Sequence, residues 1–129
     1  KYNMDSIIIT NNKLVYEKYK DLYKVEYLEE YTYIDILEYV RDKIHIGHKL
    51  ITHPLSGSIK PNETPYKSII ISKEKGQLDY DSLKIIEDSI ATGIKFINNK
   101  PTPHWTERVL NDFREIDLSL IENAINRIL

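Results

Sequence analysis

Cysteine is absent from this 129-residue chain, which removes a disulfide framework, a thiolate nucleophile and any zinc site built on sulfur. An excess of positive charge is missing too: 18 Lys+Arg stand against 20 Asp+Glu, for a formal charge of -2. No basic field therefore draws in a phosphodiester backbone, and nucleic acid is not an expected partner. No apolar run approaches the roughly 20 residues that span a bilayer, so no membrane association is expected. A signal-peptide core is also lacking, which makes the cytoplasm the expected compartment. Alanine occurs only at Ala91 and Ala124, and arginine four times against fourteen lysines, a bias that fits an AT-rich genome. Met4 is either internal or a natural start.

With 41% hydrophobic and 29% charged residues, the composition is that of a globular chain, and its length suits a single domain over residues 1–129. The seven tyrosines from Tyr16 to Tyr39 are interleaved with lysines as in a base-stacking surface. Glu17, Asp21, Glu26, Glu29, Glu30, Asp35 and Glu38 dilute that charge, however, and packed or surface tyrosines explain the pattern.

Ile7-Ile8-Ile9, closed by Asn11 and Asn12, predicts a buried strand over Ser6 to Thr10, with either asparagine capping the helix that follows. A second strand is expected over Tyr23 to Leu28. Thr32 and Asp35 then form a short-armed capping box ahead of Ile36, Leu37, Val40 and Ile44, which share one helical face, and Gly47 ends that helix. His48 to Thr52 predicts a short third strand, which Pro54 stops. Residues 53–65 form the longest stretch without periodicity, with a β-turn at Lys60-Pro61-Asn62-Glu63. Ile69-Ile70-Ile71 predicts a fourth strand. Leu83, Ile86, Ile90, Ile94 and Ile97 mark a long amphipathic helix capped by Asp79 or Asp81, and two C-terminal helices are expected with a break near Ile116 and Asp117. The fold expected is a three-layer α/β domain. Its small, mainly parallel sheet has strand order 2-1-3 and a fourth, antiparallel edge strand. An exposed edge of that kind offers a route to a homodimer.

In open α/β sheets ligands bind beyond the carboxyl ends of the strands, where the strand order reverses. Asn11, Asn12, Thr52, His53, Ser56, Gly57, Ser58 and Lys60 fall on the loops at that point and form the candidate ligand-binding set. The expectation is that the Ser56-Gly57-Ser58 turn, a backbone nest, faces the Asn11-Asn12 helix start across one anion-binding pocket, with Lys60 adding a cation. The alternative treats all of these as ordinary turn formers. His45, His48 and His53 resemble a metal set by spacing, but a strand would hold His48 and His53 roughly 16 Å apart, so no metal is expected. His53, at a strand end, is the one candidate acid or base. Phosphate-loop and dinucleotide fingerprints are missing, as is a nucleophile elbow around Ser56, and no cofactor is implied.

Thr10-Asn11-Asn12, Val40-Arg41-Asp42 through His45, Gly47-His48, and above all Thr52-His53-Pro54-Leu55-Ser56-Gly57-Ser58-Ile59-Lys60-Pro61-Asn62-Glu63-Thr64-Pro65-Tyr66-Lys67-Ser68 make the chain resemble the GrdX-like proteins. These are encoded beside the glycine, sarcosine and betaine reductase systems of clostridia and other anaerobes. The resemblance implies a context, with reductase components or a small anionic metabolite as partner, and carries over no site residue. Because no convincing catalytic constellation is visible, an accessory or binding protein is expected rather than an enzyme. The alternative is a small enzyme acting on a phosphorylated or carboxylate metabolite, with His53 as acid/base and Ser56 and Lys60 binding the anion.

Overall fold

The computed structural model describes residues 5–128; Met4 lies outside them. Strand β1 (Ser6–Thr10) is followed by helix α1 (Lys13–Tyr19), strand β2 (Lys24–Tyr27), helix α2 (Tyr33–His45), strand β3 (Ser68–Ser72), and helices α3 (Tyr80–Asn99) and α4 (Glu107–Ile128). The sheet order is β2-β1-β3. All five residues of β1 are buried because both its faces are covered. Ile7, Ile9, Ile69 and Ile71 pack against α2 and α3, while Ile8 and Ile70 meet Val15, Ile121 and Ile125 of α1 and α4. Each of these isoleucines stabilises the fold by roughly 2 kcal/mol through burial.

Two strand expectations need correction. The β1–β2 pair is parallel, but β1 pairs with β3 antiparallel, Ile8 opposite Ile70, so the sheet is mixed rather than mainly parallel. Among the described residues it also has three strands, not four. The segment His48 to Thr52 makes only an isolated bridge, Leu50 to Ile71, and Ser68–Ser72 takes the place beside β1. Sequence explains the exchange. The place beside β1 is covered on both faces, which suits Ile69-Ile70-Ile71, whereas His48-Lys49-Leu50-Ile51-Thr52 is polar at three positions. Along the outer side of β3, Ile51 and Thr52 both donate to the Ile70 carbonyl, and the Thr52 hydroxyl accepts from the Ile70 N–H. Pairing of this irregular kind covers the edge without forming a ladder.

Caps fall where the sequence indicates. Asn12 caps α1 by accepting from Leu14 N, the capping box of Thr32 and Asp35 opens α2, and Asp79 caps α3. The expected break near Ile116 and Asp117 does not occur, since α4 runs unbroken from Glu107 to Ile128. Its sequence contains neither glycine nor proline, and Asp117 is turned inward, as described next.

Candidate functional site

At the carboxyl end of β1 the alternation of the strand sends Thr10 toward α4 and Asn11 toward α2 and α3. Below Thr10 lies a buried polar chain. The Asn12 backbone N–H donates to Thr10 Oγ1 at 2.9 Å, Thr10 Oγ1 lies 2.7 Å from Ser68 Oγ, and Ser68 Oγ donates to Asp117 Oδ2 at 2.7 Å. Because the Ser68 proton is committed to the carboxylate, Thr10 must be the donor to Ser68. Asn12 Nδ2 also donates to Asp117 Oδ2, at 3.0 Å, and to the Arg114 carbonyl, at 2.9 Å. Burial pushes the Asp117 carboxyl above its ordinary value, against the opposing donors Asn12 and Ser68 and the charge of Lys67. The chain of bonds ties α4 to the strand ends.

On the other face lies a cleft of about 480 Å³ whose walls include Asn11, Glu29, Tyr31, Thr32, Tyr33, Ile34, Tyr66 and Ile97. Thr32, Tyr33 and Ile34 are the cap and first two positions of α2. The capping box occupies the N–H groups of Thr32 and Asp35, so those of Tyr33 and Ile34 remain as the free positive end of the helix. Beside them sits Lys67, only 7% exposed, two residues before Ile69 and hence on the same face of β3. Its ammonium lies 5.5 Å from the Tyr33 ring centroid, and among the described residues no carboxylate reaches it at ion-pair distance. Burial lowers the Lys67 pKa, partly offset by the charge of Asp117, and burial raises that of Tyr33. Lys67 is thus a desolvated cation held by an aromatic face and a distant carboxylate.

Tyr66 closes one wall. Arg114 holds it by donating Nη1 to the Tyr66 hydroxyl at 2.6 Å and by placing its guanidinium 5.4 Å from the ring centroid. Arg114 is paired in turn with Glu107, while its buried Nε has no hydrogen-bond partner among the described residues.

The structure distributes the expected site residues widely. Asn11 lines the cleft, but both its amide hydrogens are donated, to the carbonyls of Tyr31 and Pro65, and its Oδ1 accepts from Lys67 N. Asn12 is equally committed, by the bonds given above. Ser56 and Gly57 line a different cavity, with Asn123, Asn126 and Arg127, and Lys60 lines a third, with Asn62, Lys100 and Trp105. The expected shared pocket is therefore divided among separate surfaces. The nest geometry is present, since Gly57 has φ of 94°, but it faces the end of α4. Ser58 is exposed, and the Thr52 hydroxyl is spent on Ile70. His53 is exposed and its Nδ1 accepts from Leu55 N at 3.1 Å. His48 is buried with Nδ1 2.6 Å from the Ser72 carbonyl oxygen, and His45 is exposed at the end of α2. Trp105 donates to the Glu63 carbonyl and packs on Phe113, fastening the long loop to α4. Sequence reasoning missed Lys67, Tyr33 and Tyr66. The available signal was the strand alternation, which places Lys67 on the core-facing side with Ile69.

The family model described as GrdX-like protein matches residues 7–126, nearly the whole chain, and the chain belongs to that family. No curated protein and no solved structure matches it. Among the described residues no helix is long and apolar enough to cross a membrane.

Proposed function

With membership of the GrdX-like family as premise, we propose that this chain is an accessory binding protein of an amino-acid reductase system that holds a small carboxylate-bearing metabolite in the cleft beside α2. The observation that carries this reading is Lys67, a cation 7% exposed with no carboxylate at ion-pair distance among the described residues, next to a cleft of ligand size. Desolvating an ammonium is costly unless an anion answers it, and an incoming carboxylate supplies that anion. The position agrees with the strand-end rule for α/β sheets. The reductase context comes from the family name alone and concerns the partner, not the chemistry.

Two measurements test it. Titration of the protein with acetate should shift the amide resonances of Tyr33, Ile34 and Lys67, and Lys67→Met, which keeps the apolar stem and removes the charge, should weaken binding roughly tenfold or more, given about 1.5–3 kcal/mol for a hydrogen bond to a charged group. Acetate binding unchanged in the Lys67→Met protein would remove the reading. For the partner, affinity capture of the intact protein from cells growing on glycine should recover a reductase component; its repeated absence counts against that half.

A further inference from the structure

Glu29 complicates a site for a simple anion. It lies on the wall of the same cleft and is exposed, so it stands at the mouth, whereas Lys67 is buried beside Tyr33 of that wall, its ammonium 5.5 Å from the ring centroid. Tyr31, 38% exposed, adds an aromatic face, which attracts cations, while the Tyr66 ring already carries Arg114. The cleft is thus bipolar: the start of α2 at Tyr33 and Ile34, with the Lys67 ammonium buried beside Tyr33, supplies the positive side, and the Glu29 carboxylate and the Tyr31 ring the side toward solvent. A bare carboxylate would gain at the start of α2 and be repelled at Glu29.

Resting on the reading above, we propose that the ligand is a small zwitterion of the amino-acid type, bound with its carboxylate inward at the α2 N-terminus and Lys67 and its ammonium outward at Glu29. Each charge then meets its complement, and the side chain of the ligand is left to the apolar wall that includes Ile97. Glu29 becomes the group that separates a zwitterion from an anion of the same size, because its repulsion disfavours the anion.

The experiment is calorimetric and NMR titration of the full chain with alanine, glycine, acetate and methylammonium. Either amino acid should bind about tenfold or more tighter than acetate or methylammonium, about 1.4 kcal/mol. In Glu29→Gln the amino acids should weaken toward acetate while acetate holds or gains, and because Glu29 is exposed the fold is kept. Lys67→Met should weaken amino acids and acetate together. Acetate binding as tightly as alanine, or a Glu29→Gln protein that discriminates as the parent does, overturns the zwitterion and leaves the carboxylate site standing. Failure of every probe to move the cleft resonances overturns both.

Discussion

Replacing Asn12 with alanine is expected to lower the stability by about 3 kcal/mol, and the melting temperature by on the order of 10 °C. The side chain is completely buried and performs three tasks at once. It caps α1 through Leu14 N, and it donates to the Arg114 carbonyl and to Asp117 Oδ2. Loss of a cap costs about 1 kcal/mol, and stranding a buried carboxylate that has lost a donor costs more. The deficit should also depend on pH. Burial holds the folded Asp117 pKa above its ordinary 3.8. A group raised in this way favours the fold below its unfolded pKa, and that contribution is lost as pH rises through the folded value. The ionised carboxylate is the form that needs the Asn12 amide, so the deficit should be largest near neutrality and shrink as acid protonates Asp117. Urea unfolding of both proteins from pH 7 down to pH 4 measures this. A deficit under 1 kcal/mol at pH 7, or one that grows on acidification, would show that the network does not hold α4 to the sheet.

That network also marks the limit of what the sequence discloses. Asn12 was legible as one of two candidate caps, with Asn11, because capping is local: the acceptor and its N–H lie two residues apart. Its bonds to Arg114 and Asp117 span 102 and 105 residues, and no pattern around Asp117 announces an inward-facing carboxylate. Ser119 and Glu122, which have the spacing of a capping box, instead suggested a helix break just before them. The two isoleucine strands show the same limit. Each was visible as a buried run, but which segment lies beside β1 depends on comparing Ile69-Ile70-Ile71 with the more polar His48 to Thr52 as candidates for a position buried on both faces. The strand-end rule then directed attention to the carboxyl end of β1 and to the loop at Ser56-Gly57-Ser58. With β3 antiparallel, the chain enters that end through Pro65, Tyr66 and Lys67, and the glycine turn at Ser56-Gly57-Ser58 is carried off toward α4. Lys67 is one of fourteen lysines, and only its register with Ile69 distinguishes it from the solvated ones.

The second large effect should come from Gly47→Ala, expected to cost about 3–4 kcal/mol. Gly47 follows the end of α2 with φ of 111°, a region that an L-residue enters at a cost of roughly 1–2 kcal/mol. A methyl group there would also lie 2.4 Å from the carbonyl oxygen of Gly76 and 2.9 Å from its nitrogen. Those are backbone atoms, and the Gly76 N–H donates to the Gly47 carbonyl at 3.0 Å, so the turn cannot move aside without breaking the bond that docks it. Overpacking of this kind adds about 1–3 kcal/mol. Gly57→Ala is the internal comparison. Its φ of 94° carries a similar conformational cost, but its methyl would meet the Leu120 side chain at 2.9 Å, and a leucine can change rotamer. Gly57→Ala should therefore cost about 1–2 kcal/mol, the backbone contribution alone. Chemical denaturation of the two variants ranks them. Equal losses, or a Gly57→Ala protein less stable than Gly47→Ala, would mean that conformational strain alone sets both and that the contact between the end of α2 and Gly76 contributes nothing to the fold.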